Sequence, residues 1–126
     1  QKIANEIMAS CQVTTAVINL VGQTTIAEAI DLLASADAVV SNDSGLMHIA
    51  AATNTPVVGI FGSSSEQHTP PLGDNATSIF NSIDCRPCFA RHCPLGHTKC
   101  LSELRADHVI NALSKLLAYS SPQLTI

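Results

Sequence analysis

The sequence contains few of the residues that bind nucleic acids. Only six of its 126 residues are Lys or Arg, against ten Asp and Glu, so the formal net charge is −4. Aromatic residues make up 3% of the chain, and Trp is absent. Nucleic-acid binding needs clustered cations for the phosphates and aromatic rings for the bases. We therefore expect no nucleic-acid partner.

Long apolar runs and targeting segments are also missing. The longest apolar runs, at residues 16–21 and 56–62, are much shorter than the roughly 20 residues that cross a bilayer. Neither the charged region nor the apolar region of a signal peptide appears near Gln1. The length and the 46% hydrophobic content predict one soluble domain over residues 1–126. Because the chain starts without Met and already in a helical pattern, we expect it to be a fragment of a larger protein.

Helical and strand patterns alternate along the first half of the chain. They predict helices at 2–10, 24–36 and 45–53, and strands at 13–20, 38–41 and 56–62. The run at 56–62 shows no alternation, as in strands that are covered on both faces. This order predicts an α/β fold, a Rossmann-like parallel sheet with flanking helices. Ligands of such sheets bind beyond the carboxyl ends of the strands.

The second half has weaker periodicity. Residues 63–77 are polar and rich in turn formers, which predicts a long loop at the ligand edge of the sheet. A further short strand is expected at 76–81, then a Cys-rich loop at 82–101. A closing helix is predicted at 106–118, where apolar residues recur on one side.

The turn between the second strand and its helix has the composition of an anion site. Asp43 and Ser44 suit a helix N-terminus, where unpaired backbone N–H groups and the helix dipole attract phosphate. The alternative is that both side chains only cap the helix. Gly45 in the first turn lowers helix stability by roughly 0.5–1 kcal/mol relative to Ala, which favours close approach of a ligand. His48 lies off the apolar stripe of Leu46, Ile49, Ala50 and Thr53, which is expected to face the core, and can point along the sheet edge.

These motifs, in this order, resemble one enzyme family. They are GQTTIAE at 22–28, SNDSGLMH at 41–48, AAA at 50–52 and PVVGIFG at 56–62. Together they are similar to the C-terminal half of the ADP-heptose:lipopolysaccharide heptosyltransferases, inverting glycosyltransferases of the GT-B fold. FGSSSEQHTPP at 61–71 and DCRPCFARHCPLGHTKCL at 84–101 resemble the heptosyltransferase II members in particular. The resemblance covers nearly the whole chain.

The resemblance implies that the chain is the half that binds the donor, ADP-heptose. The implied donor-binding residues are Asp43, Ser44, Gly45, Leu46 and His48. It also implies that the general base is an Asp of the N-terminal half, which also binds the lipopolysaccharide inner-core acceptor, so this chain has no catalytic base and is inactive alone. No obligatory cofactor is expected. The implied location is the cytoplasm, at the inner face of the bacterial inner membrane, with at most peripheral membrane contact.

The clustered cysteines allow several interpretations. Cys85, Cys88, Cys93 and Cys100 form a C-x2-C-x4-C-x6-C pattern, and four thiolates this close can build a structural zinc site. Against zinc, the spacing departs from paired C-x2-C motifs and the family has no known obligatory metal. The cysteines can instead be reduced packing residues, or disulfides, which are unusual in a reducing compartment.

Two other functions remain open on sequence grounds. One is a GT-B transferase that uses a different nucleotide, because the residue that reads the nucleotide is not evident. The other is a non-enzymatic α/β module in which a zinc-stabilised Cys-rich loop forms a docking surface.

Overall fold

Among the residues that the structure describes, three parallel strands form one sheet. The computed structural model describes residues 1–11 and 16–120. The elements are α1 (Lys2–Ser10), α2 (Ile26–Ser35), β1 (Val39–Asn42), α3 (Gly45–Ala52), β2 (Val57–Phe61), β3 (Ala76–Phe80), α4 (Lys99–Ser102) and α5 (Ala106–Ser120). The predicted Rossmann-like sheet with flanking helices is confirmed.

The strand order β1-β2-β3 places β2 in the centre, with Asn42 of β1 opposite Ile60 of β2. All three strands run in the same direction, so their carboxyl ends lie at one edge of the sheet. The Asp43 N–H donates to the Ile60 carbonyl at 3.1 Å and extends the pairing into the turn. The turn after β1 and the loop after β2 are therefore neighbours, as the sequence predicts.

The core lies between α3 and the sheet. Val57 and Phe61 of β2 are fully buried together with Met47 and Ala50 of α3. A Cβ added to Gly59 would lie 2.8 Å from Met47 Sδ, so glycine lets α3 approach β2 closely. α5 packs on β2 and β3, and α2 packs on α3. Helices thus cover the sheet, which explains why the central strand is apolar without alternation.

A capping box starts α2. Thr25 Oγ1 accepts a hydrogen bond from the Glu28 N–H at 3.3 Å, and Glu28 Oε2 accepts one from the Thr25 N–H at 2.7 Å. The Thr25 hydroxyl also donates to Glu28 Oε2, at 2.8 Å. The bonds that this carboxylate accepts, from the Thr25 N–H first and its hydroxyl second, lower the pKa of Glu28. Ile26, at the first helical position of α2, is 75% exposed.

Two predictions are wrong. Residues 13–15 of the expected strand 13–20 lie outside the described residues, and residues 16–20 form no strand. A strand needs a neighbour to pair with, and Ile18 in this stretch is 80% exposed. The apolar stripe of α3 is also shifted: Met47 and Ala50 are buried, whereas Leu46 is 45% exposed. When a short helix has apolar residues on every side, its packing against neighbouring elements decides which side is buried.

No helix among the described residues has both the length and the apolar character needed to cross a membrane.

Candidate functional site

The turn from β1 into α3 presents backbone donors to solvent. Ser44 is the N-cap residue, with extended backbone angles, and its side chain makes no capping hydrogen bond. Ser44 Oγ instead lies 3.3 Å from Ser41 Oγ. Within the described chain, the N–H groups of Ser44, Gly45 and Leu46 have no acceptor, as is usual at a helix N-terminus without a side-chain cap. The Ser44 side chain therefore does not cap α3, although sequence reasoning allowed it to, and the three N–H groups have no partner in the described chain.

The Asp43 side chain is held by the loop that follows β2. Thr69 Oγ1 donates to the Asp43 carboxylate, at 3.3 Å from Oδ1 and 3.2 Å from Oδ2. Since the Asp43 N–H is already paired with β2, both ends of the residue are positioned. A carboxylate accepts up to four hydrogen bonds, so Asp43 keeps capacity for hydroxyl groups of a ligand.

Gly45 and His48 lie three residues apart on α3 and so share one side of the helix. A Cβ built on Gly45 would meet no atom of the described chain within 4 Å. The fold itself therefore does not require glycine here. The His48 residue is half-buried, and its side chain makes no hydrogen bond to another described residue. The structure thus gathers Asp43, Ser44, Gly45 and Leu46 in one turn, with His48 about one helical turn further on.

A buried arginine joins the Cys-rich loop to the loop after β2. The Arg86 side chain is 7% exposed; its Nε donates to the Gly62 carbonyl at 2.9 Å and its Nη2 to the Ser64 carbonyl at 3.0 Å. Nη2 also pairs with Glu66 Oε2 at 3.0 Å, and the guanidinium carbon lies 4.3 Å from the Phe80 ring centroid. Arg86 therefore fixes the start of the loop that carries Thr69.

Glu66 and the Phe89 region reinforce the same junction. Partial burial raises the pKa of the Glu66 carboxyl, but hydrogen bonds from its own backbone and from Arg86, with the Arg86 charge, outweigh burial and lower it. The Phe89 N–H donates to the Ser63 carbonyl at 2.8 Å, and the Phe89 ring stacks on His68 at 5.4 Å between centroids. The Cys-rich loop is thus packed against the ligand edge of the sheet.

All five cysteines of the chain are free thiols. Cys85, Cys88, Cys93 and Cys100 line one cavity, yet in the described ranges no three His, Cys, Asp or Glu side chains are placed to hold a metal ion. The zinc interpretation gains no support from this arrangement.

Sequence reasoning did not single out Thr69, Glu66 or Arg86. Thr69 lies in the predicted ligand-edge loop, so its neighbourhood was expected but its contact with Asp43 was not. Nothing in the sequence around Arg86 marks it as buried, because its partners are mostly backbone carbonyls more than 20 residues away.

Comparison with known proteins supports the family resemblance. A family model described as glycosyltransferase family 9 (heptosyltransferase) matches residues 1–99. Lipooligosaccharide heptosyltransferase 2 of Haemophilus ducreyi is 44% identical over 107 residues, covering 80% of this chain and 30% of that protein. Lipopolysaccharide heptosyltransferase 2 of Escherichia coli is 37% identical over 99 residues, covering 79% of this chain and 28% of that protein.

A solved structure extends the similarity to the fold. The structure of E. coli ADP-heptose lps heptosyltransferase II superposes with a TM-score of 0.79 at 34% identity, covering 94% of this chain and 33% of that one. The chain therefore spans about a third of the length of these relatives. The resemblance to heptosyltransferase II members is confirmed, and the chain belongs to glycosyltransferase family 9, the heptosyltransferases.

Proposed function

We propose that this chain is the donor-binding part of an inverting heptosyltransferase that moves heptose from ADP-heptose onto the lipopolysaccharide inner core. The observation that carries the proposal is the turn at residues 43–46, whose free N–H groups lie at the carboxyl edge of the sheet. Relatives named as heptosyltransferases support the reaction class. The proposed location is the cytoplasm, where the nucleotide-sugar donor would be met.

The turn is suited to a departing diphosphate. N–H groups of Ser44, Gly45 and Leu46, with the positive end of the α3 dipole, would hold the ADP phosphates and offset the charge that grows as the sugar bond breaks. The Asp43 carboxylate would accept hydrogen bonds from donor sugar hydroxyls. His48, on the same side of α3 as Gly45, would contact the diphosphate.

The acceptor hydroxyl must lose a proton during transfer, which requires a general base. Asp43 is unsuited to this task, because it is placed beside the N–H groups that would hold the leaving group. As the family resemblance implies, the base is proposed to be an Asp of the N-terminal half of the enzyme, which also binds the acceptor. If donor binding and the general base lie in different halves, this chain should bind the donor but should not transfer its heptose.

Titration with ADP tests the donor site directly. We expect ADP to shift the backbone amide NMR signals of Ser44, Gly45 and Leu46, because these donors gain a phosphate acceptor. The matched control is the amide of Asn54, at the opposite end of α3, which should not move. UDP at the same concentration distinguishes a site that is specific for the adenine nucleotide from the site of a transferase that uses another nucleotide. If millimolar ADP leaves the three amides unchanged in folded protein, the turn is not a self-sufficient donor site.

The Gly45→Ala variant separates ligand approach from folding. Because a Cβ at Gly45 meets open space, we expect the free energy of unfolding to stay the same or rise, by at most about 1 kcal/mol. The same methyl group would stand where the diphosphate approaches the backbone, so transfer by the intact enzyme should fall about tenfold. Denaturant unfolding and steady-state transfer measure the two effects.

Gly59→Ala provides the contrast, since its Cβ would lie 2.8 Å from Met47 Sδ in the core. That variant should lose stability. Full transfer activity in Gly45→Ala would contradict a close approach of the donor to this turn.

A further inference from the structure

The Thr69 hydroxyl lies at the gap between the two oxygens of the Asp43 carboxylate. Thr69 Oγ1 is 3.3 Å from Oδ1 and 3.2 Å from Oδ2, so it is almost equally far from both. A guanidinium that pairs with a carboxylate makes its two parallel hydrogen bonds from this same side. In the described part of the chain, no other group donates to the Asp43 side chain, so each oxygen keeps its outer lone pair.

One turn of the loop after β2 fixes the place of Thr69. The Ser65 carbonyl accepts hydrogen bonds from the N–H groups of His68, at 3.1 Å, and Thr69, at 3.3 Å. Ser65 Oγ accepts another from the Gln67 N–H at 3.2 Å, and Ser65 is itself only 7% exposed. The backbone of Thr69 is therefore anchored to a buried residue, although Thr69 is exposed.

The same turn decides which acceptor receives the Thr69 hydroxyl proton. A hydroxyl donates one proton, and three acceptors surround Thr69 Oγ1: the two Asp43 oxygens and the Ser65 carbonyl, at 3.5 Å. The Ser65 carbonyl is the most distant of the three and already accepts two N–H groups, which use both of its lone pairs. The Asp43 carboxylate is nearer and charged, so the Thr69 hydroxyl donates to it.

We infer that Thr69 is a positioning residue for the donor sugar: it holds the Asp43 carboxylate and leaves one outer lone pair on each oxygen to accept ligand hydroxyls. The inference rests on the proposed function, in which Asp43 binds hydroxyls of ADP-heptose. Asp43 is half-buried, so a sugar can approach its carboxylate from solvent. Because Thr69 fills the gap, a guanidinium cannot pair with both oxygens at once, whereas single hydroxyls still reach each oxygen.

Thr69 should act on the sugar and not on the diphosphate. The proposed phosphate donors are the N–H groups of residues 44–46, and no hydrogen bond of the described chain joins them to Thr69. The Asp43 N–H pairs with the Ile60 carbonyl at 3.1 Å, independently of the Thr69 side chain. Removing the Thr69 hydroxyl should therefore release the carboxylate and leave the turn in place.

Binding of ADP and of ADP-heptose to the intact enzyme separates these two roles. Thr69→Val keeps the shape of the side chain and removes its hydroxyl. We expect this variant to bind ADP-heptose about 3- to 10-fold more weakly, because the carboxylate loses the hydrogen bond that orients it. ADP lacks the heptose, so its affinity should stay within about twofold of the native value. Thr69→Ser, which keeps the hydroxyl, should bind both ligands as the native enzyme does; isothermal titration calorimetry measures these affinities.

Thr53→Val is the matched control. Thr53 Oγ1 donates to the Ala50 carbonyl at 2.9 Å at the far end of α3, so the same substitution removes a hydrogen bond away from the site. It should leave ADP-heptose binding within about twofold of the native value. In an Asp43→Asn background, Thr69→Val should weaken ADP-heptose binding by at most about a further twofold, because the charge that Thr69 orients is gone.

Three outcomes would contradict the inference in different ways. If folded Thr69→Val bound ADP-heptose as the native enzyme does while Asp43→Asn bound it weakly, the inference would be overturned and the proposed donor site would remain. Equal losses of ADP and ADP-heptose binding in Thr69→Val would also overturn it, because Thr69 would then support the whole turn. If the native enzyme bound neither ligand, the proposed function would fail, and the inference with it.

Discussion

Asp43→Asn is expected to lower kcat/KM for donor transfer by the intact enzyme about 10- to 100-fold, because a hydrogen bond to a charged group contributes about 1.5–3 kcal/mol. Asparagine keeps the size of the side chain and an oxygen that can still accept from Thr69. The fold and the loop after β2 should therefore remain in place. What the variant loses is the negative charge proposed to bind donor sugar hydroxyls.

Asp74→Asn is the matched control. Asp74 is an exposed residue just before β3, at the amino end of that strand and thus at the opposite edge of the sheet. The same change of charge at Asp74 should leave the transfer rate within about twofold of the native rate, as for surface substitutions away from any site. Near-normal transfer by folded Asp43→Asn would remove Asp43 from the site.

Arg86→Met is expected to lower the free energy of unfolding by about 2–4 kcal/mol, because it leaves a partly buried carboxylate and two loop carbonyls without their donor. The 20% exposure of Glu66 keeps the loss below that of a fully buried pair. Transfer should fall as well, since the anchored loop carries Thr69. Denaturant unfolding and hydrogen exchange of the amides at 62–69 measure the two effects.

The contribution of the ion pair should depend on pH. Because the Glu66 pKa is lowered in the folded protein, the stability from the pair is complete above the ordinary value of about 4.5 and is lost as the pH falls through the lowered value. The difference in the free energy of unfolding between Arg86→Met and the native protein should therefore become smaller in acid. The share of that difference that comes from the carbonyl contacts should remain.

Arg91→Met, in the same loop, is the control for Arg86→Met. Arg91 is exposed, so its substitution should change stability by less than about 0.5 kcal/mol. Equal stability losses in the two variants would show that Arg86 does not anchor the loop.

The site turn is the part of the molecule that local sequence specified best. A short apolar strand, a polar turn and a helix start are short-range patterns, and the structure has β1 ending at Asn42 and α3 beginning at Gly45, close to the predicted bounds. The position of this turn at the ligand edge could be predicted as well, because the carboxyl ends of parallel strands lie at one edge of the sheet. The donor role of these residues remains a prediction.

Long-range packing could not be predicted in the same way. The expected strand at 13–20 failed where it is described, because an apolar run forms a strand only beside a neighbour. The buried side of α3 depended on which residue the sheet met, and Met47 rather than Leu46 fits beside Gly59.

The sequence by itself determined the α/β class, the family and the turn at residues 43–46, because these depend on local patterns and ordered motifs. Only the tertiary structure showed that Thr69 holds Asp43, that Arg86 ties the Cys-rich loop to the sheet edge, and that four thiols share one cavity. The physical reason is that these contacts join residues far apart in the chain. Their hydrogen bonds and burial arise only once the sheet has brought those residues together.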